Sequence, residues 1–156
     1  MKPVVCIGLG NPLRTDEGVG VRVVEALRAA GGAPADCEIL DLGTAGPALL
    51  HALAGRRKAV IVDCTLMGEA PGMCRRFRPE EVRTKKALAG LSVHEADVLR
   101  ILALSEELGE RPEEVVLFGI EPASIEAGTE LSPALREGLD GYVAAVRAEL
   151  GGRADA

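Results

Sequence analysis

Apolar and polar positions along this chain switch repeatedly between two periods. Val4-Val5-Cys6-Ile7 is an unbroken apolar run closed by Gly8, the pattern of a strand buried on both faces. From Gly18 to Ala30 the pattern becomes helical, with Val19, Val23, Val24 and Leu27 on one face. Glu38 to Leu42 predicts a second strand. A short helix follows from about Pro47 to Leu53, where Pro47 suits a first turn because its missing N–H would have no partner there. Ala59 to Val62 is the clearest buried strand. Met73 to Phe77 alternates less cleanly and carries arginines, which marks an edge strand. Glu95 to Leu108 predicts a helix with Val98, Ile101 and Leu102 inward, and Val115 to Ile120 another buried strand. The last helix runs from about Ser132 to Leu150 with an apolar stripe from Leu135 to Val146, opened by Ser132-Pro133. Strands alternating with helices predict an α/β domain over residues 1–150, a mostly parallel sheet with helices on both faces, and a frayed tail at 151–156. No internal repeat or linker divides the chain.

Composition narrows the function classes. The 156 residues suffice for one domain with a real core. Phe77, Phe118 and Tyr142 are the only aromatic residues, so the core is aliphatic and no aromatic platform can stack bases. The formal net charge is −6, against the basic excess that a polyanion partner demands. Arg75, Arg76 and Arg78 read as a solvated edge, and no nucleic acid is expected as a partner. No apolar stretch is long enough to span a membrane, so no membrane partner is expected either. Cys6, Cys37, Cys64 and Cys74 form no C-x-x-C pair and there are only two histidines, which argues against a structural zinc site. Reduced thiols and no secretory segment predict a cytoplasmic protein.

In open α/β sheets, ligands bind beyond the carboxyl ends of the strands. The ionisable residues expected there are Asp16, Glu17, Asp41, Asp63 and Glu121. Asp16 and Glu17 also read as acids complementing the dipole of a first helical turn. Asp63 abuts Val60-Ile61-Val62, so its carboxylate must be paired, hydrated in a cleft, or bound to a cation. Ser92-Val93-His94-Glu95 reads as a capping box. It puts His94 in a first turn, where the dipole disfavours imidazolium and keeps the ring in the form that a metal requires. A surface histidine near a cap fits the same pattern. Together, Glu17, Asp63 and His94 could converge at one sheet edge. Two oxygens and one nitrogen suit a divalent transition metal rather than calcium, without choosing among nickel, zinc and manganese. Gly8-Leu9-Gly10 opens like a dinucleotide loop, but Leu13 stands where the third glycine belongs and Pro12 intrudes.

The segment Gly8-Leu9-Gly10-Asn11-Pro12-Leu13-Arg14-Thr15-Asp16-Glu17-Gly18-Val19-Gly20 resembles the N-terminal motif of hydrogenase maturation endopeptidases, G-x-G-N leading to D-E-x-x-G. Val60-Ile61-Val62-Asp63 resembles that family's second motif and Ser92-Val93-His94-Glu95 its third, in the same order and over almost the whole chain. The resemblance implies a twisted sheet of about five strands. It also implies that Glu17, Asp63 and His94 contact the nickel already inserted into the precursor large subunit of a nickel–iron hydrogenase. The C-terminal peptide of that precursor would then be removed. Nickel would arrive with the substrate, and zinc or cadmium would take the site in vitro. Many members carry D-G-G-T after the second strand, where this chain reads Asp41-Leu42-Gly43-Thr44-Ala45-Gly46. That loop is associated with choosing the substrate, so the resemblance gives Asp41, Gly43, Thr44 and Gly46 a recognition role.

Two other readings share these motifs. Peptidyl-tRNA hydrolases also begin with a strand and G-L-G-N-P, but they need a histidine shortly after it, and here Asp16 and Glu17 stand in that neighbourhood. A non-proteolytic nickel carrier or assembly chaperone could use the same trio. For a protease, the docked nickel would polarise or position the scissile carbonyl, or Asp16 or Glu17 would instead handle the proton of an attacking water; the sequence leaves these alternatives open. No Ser–His–Asp order or reactive Cys–His pair points to a covalent intermediate. Nothing in the pattern selects a client hydrogenase or an oligomeric state.

Overall fold

Side-chain alternation within the strands divides the core in two. Along β1 (Val4–Leu9), Val4 and Cys6 point to one side, and Val5, Ile7 and Leu9 to the other. The same division runs through β3 (Lys58–Cys64) and β5 (Glu114–Ile120), so the sheet is buried on both faces. On the first side α1 (Val19–Ala30) contributes Val19, Val23, Val24 and Leu27, and α5 (Pro133–Glu149) contributes Leu135, Tyr142, Val143 and Val146. On the second, α2 (Pro47–Leu53) buries Leu49 and Leu53 and α4 (Val93–Glu107) buries Val98 and Leu102. The computed structural model describes residues 1–44, 46–84 and 93–151, with backbone alone at 82–84 and 93–97. The tail expected at 151–156 lies outside the described residues apart from Gly151.

The sheet has five strands in the order β2-β1-β3-β5-β4, with β2 spanning Cys37–Gly43 and β4 spanning Cys74–Phe77. β1 pairs with β2 and β3 in parallel, and β3 with β5 likewise; β4 lies antiparallel on β5 at the edge. The expected α/β sheet with helices on both faces is the fold observed. From β1 the chain moves outward to β2 and then crosses back to β3 on the other side of β1. The order therefore reverses between β1 and β3, the point where such sheets open a crevice at their carboxyl ends.

Two elements were not expected. Pro79–Thr84 forms a short helix, α3, and Thr15–Gly18 forms a 3₁₀ turn before α1. Asp16 and Glu17 therefore sit in that turn and not in the first turn of α1. The capping residue proposed for α4, Ser92, lies outside the described residues.

Candidate active site

The loop after β1 is built to press against the sheet. Gly10 has φ 123°, a conformation open to glycine, and a Cβ there would overlap the Glu17 carbonyl oxygen. Its N–H donates to Gly43 O at 2.8 Å, fastening the loop to the end of β2. Asn11 Oδ1 accepts the Leu13 N–H at 2.9 Å, a side-chain-made turn. Gly20, at the start of α1, approaches Val62 O and Leu9 O so closely that a Cβ would overlap both. The glycines of the first motif thus let α1 and the 3₁₀ turn lie directly over the ends of β1 and β3. That contact delivers Glu17 to the crevice.

The loop after β5 clasps the same turn. Thr15 carries φ 53°, the one positive value among the described non-glycine residues. A β-branched residue held there stores roughly 1–3 kcal/mol of strain. Its N–H donates to Gly128 O at 2.9 Å and its hydroxyl to Glu126 O. The Arg14 Nε–H donates to Ile125 O at 3.1 Å, and the guanidinium also lies 3.7 Å from Glu17 Oε2.

Asp16 requires a correction. The sequence made it a candidate for moving a proton, yet its side chain is fully buried and its oxygens are taken by donors from the far end of the chain. Oδ2 accepts the N–H groups of Ala123 (2.8 Å) and Ser124 (3.0 Å) and the Ser132 hydroxyl (2.7 Å); Oδ1 accepts the Ser132 N–H (2.8 Å). Burial alone would raise its pKa, but the hydrogen bonds from Ser132, Ala123 and Ser124 outweigh it and hold the carboxyl below its ordinary value. Such a group is a poor base. It anchors the start of α5, where its charge complements the helix dipole.

Glu17 and Asp63 keep their candidacy. Glu17 is only 13% exposed at its side chain. Asp63 lies within β3, opposite Gly119 of β5, and is buried, with Oδ1 accepting the Cys64 N–H at 2.7 Å. By alternation it faces the α2/α4 side with Ile61. Next to Asp63 stands the Cys64 thiol, buried at the end of β3. Burial pushes it well above the ordinary thiol range, and the charges of Asp63, Glu17, Asp16 and Glu121 raise it further. His94 falls in the first turn of α4, and its side chain lies outside the described residues. Among the described residues, no group of three His, Cys, Asp or Glu side chains could hold a metal ion.

The expected recognition segment divides into two parts. Asp41 and Gly43 belong to β2, which runs further than the sequence suggested. Gly8 pairs with Asp41 but Leu9 with Gly43, so Leu42 is bulged out of register and packs half-buried against the core beside α2. Asp41 Oδ1 accepts the Gly43 N–H at 3.1 Å, and Gly43 takes φ 59°. Thr44 and Gly46 form the connection to α2, and Ala45 lies outside the described residues.

Three residues that order the site were not singled out for it. Ser132 was read as a helix cap, but its hydroxyl serves Asp16. Glu121 was noted beyond a strand end without a task. Its Oε1 accepts the Met67 (2.7 Å) and Glu69 (3.1 Å) N–H groups and so holds the loop between β3 and β4. Arg14 carried no local signal, because its partner carbonyl comes from Ile125.

The chain is similar in sequence and fold to known proteins. The family model for hydrogenase maturation proteases matches residues 21–149. The hydrogenase 2 maturation protease of Escherichia coli (strain K12) is 36% identical over 151 residues, covering 94% of this chain and 90% of that protein. The hydrogenase expression/formation protein HupD of Thiocapsa roseopersicina is 32% identical over 135 residues, 86% of this chain, and this chain spans 61% of its length. The structure of the hydrogenase maturating endopeptidase HybD from E. coli matches with a TM-score of 0.81 at 35% identity, covering 95% of this chain and 91% of that one. The fold thus falls within a class of protein-processing endopeptidases. The chain belongs to the hydrogenase maturation protease family, and the peptidyl-tRNA hydrolase reading gives way.

Proposed function

We propose that the chain is the endopeptidase that removes the C-terminal peptide from the nickel-loaded precursor large subunit of a nickel–iron hydrogenase, recognising the substrate's nickel through Glu17, Asp63 and His94. The observation that supports this reading is that the turn after β1, which bears Glu17, packs against β3, which bears Asp63, at the switch point of the sheet. Asp63 faces the side on which α4 packs, and His94 belongs to the first turn of that helix. Two carboxylates and one neutral imidazole leave coordination positions open for the substrate's own ligands. With Asp16 committed to its four hydrogen bonds, Glu17 is the acid that takes a proton from the attacking water. Thr44 and Gly46, at the mouth beside β2, contact the precursor. Action in the cytoplasm, where thiols stay reduced, belongs to the same reading and is supported by four free cysteines; no helix among the described residues is long and apolar enough to cross a membrane.

The test compares nickel-loaded and nickel-free precursor with wild type, Asp63→Asn and His94→Ala. The reading expects wild type to cut only the loaded form and both variants to lose at least about a hundredfold, the usual scale for one lost acid–base or electrostatic group. Equal cutting of both precursors would refute nickel recognition. Tight nickel transfer with no cutting would make the chain a carrier.

A further inference from the structure

We infer that Leu13, Leu66, Met73 and Ile125 form an apolar rim that docks the precursor protein around its cationic metal centre. The inference rests on the function proposed above and adds the surface by which the partner is held. Among the described residues seven large apolar side chains are exposed, and these four are 38% to 64% exposed. Isolated exposed apolar residues are ordinary, but these share one edge. Leu13 follows β1, Leu66 follows β3, Ile125 follows β5, and Met73 leads into β4. In the order β2-β1-β3-β5-β4 those connections are neighbours, all at the carboxyl ends of the parallel strands. Turns normally carry small polar residues there.

The loops bearing the rim are fastened to one another. Gly128 N–H donates to Leu13 O at 3.0 Å and Arg14 Nε–H to Ile125 O at 3.1 Å, joining the first loop to the last. Glu121 N–H donates to Met73 O at 2.9 Å while its carboxylate holds Met67 and Glu69, joining the last loop to the middle one. The four side chains are therefore presented by a preformed frame, which lowers the ordering cost of association. At the same edge of the sheet Glu17 stands in the turn after β1 and Asp63 near the end of β3, against which that turn packs, and Asp16 and Glu121 add negative charge there. An apolar rim beside these carboxylates complements an apolar face that carries a cation. The precursor has to cover this edge for its metal to reach Glu17, so the occupant is the precursor and not a second copy of this chain. The remaining exposed residues lie elsewhere, Leu104 and Leu108 at the far end of α4 and Met1 at the N-terminus.

The experiment replaces all four rim residues by Asn and, as a control, makes the pair Leu104→Asn and Leu108→Asn. Binding of nickel-loaded precursor is read by surface plasmon resonance, cutting by KM and kcat, and the isolated chains are titrated with cadmium. The rim variant should bind at least about tenfold more weakly, with KM raised to match and kcat within about twofold, as loss of apolar anchors outside the reacting centre does. Cadmium affinity should be unchanged, and the control should behave as wild type. Wild-type binding by the rim variant would overturn the proposal, as would an equal loss in the control. So would a wild-type dimer, seen by sedimentation, that the rim variant dissolves without weakening precursor binding. A wild type that binds through the rim yet leaves the precursor uncut would contradict the protease reading and keep the docking surface.

Discussion

Asp16→Ala should lower unfolding stability by roughly 3 kcal/mol or more, because it strands buried donors from Ala123, Ser124 and Ser132 at once. Urea denaturation reads this directly. Asp16→Asn is the sharper variant, since a proton-moving acid would lose its activity without losing stability. The structure predicts the reverse, a destabilised protein whose folded fraction still cuts. Full stability with no cutting would return Asp16 to the chemistry. What distinguishes Asp16 from Glu17 was not legible in the chain. The two are adjacent acids in one motif, and the donors that claim Asp16 lie more than a hundred residues away. Asp63 was more readable, because a carboxylate ending an apolar strand demands compensation wherever it sits.

Contacts between secondary-structure elements put Glu17 in place, and Gly20 controls the tightest of them. Gly20→Ala would drive a Cβ into Val62 O and Leu9 O, so α1 must lift from β1 and β3. A cost of roughly 1–3 kcal/mol, the usual price of overpacking, should appear in denaturation, and cutting should fall further as Glu17 is displaced. Unchanged stability would mean that α1 does not rest on those carbonyls. The segment after β2 makes a second case. Exchanging Thr44–Gly46 for a homologue's residues should change which precursor is cut and leave stability within about 0.5 kcal/mol. Leu42→Gly should cost stability, because Leu42 packs on the core. Unchanged precursor choice after the exchange would deny those residues a role in recognition. The sequence placed most elements by period alone, since the interior strands carry unbroken apolar runs and α1 and α5 clean stripes. It missed α3 and the 3₁₀ turn, which are too short for a periodic signal, and ended β2 at Leu42 because Gly43 reads as a strand breaker, whereas a bulge at Leu42 lets Gly43 still pair with Leu9.

Across the domain, stability should depend on acid in a defined direction. Asp16 and Glu149 are the described carboxyls held below their ordinary values of 3.8 and 4.5. For Glu149, burial would raise the value but hydrogen bonds from Arg76 and Lys58 outweigh it, tying α5 to β4 and β3. A depressed carboxyl contributes fully above its unfolded value and loses that contribution as pH falls through the folded one. Urea midpoints should therefore be level above about pH 5 and fall steadily below about pH 4; a midpoint that rises on acidification would contradict both assignments. Sheet order decides where the site lies, and it could not be read from the chain, because each apolar run would pair equally well with several others. Only the order β2-β1-β3 sets the turn bearing Glu17 beside Asp63. Whether His94 completes that pair is best settled by crystals grown with zinc and measured at its absorption edge. One anomalous peak should stand about 2.0–2.2 Å from a Glu17 oxygen, an Asp63 oxygen and a His94 ring nitrogen. A peak bound elsewhere, or a His94 ring on another face of the domain, would contradict the shared metal site.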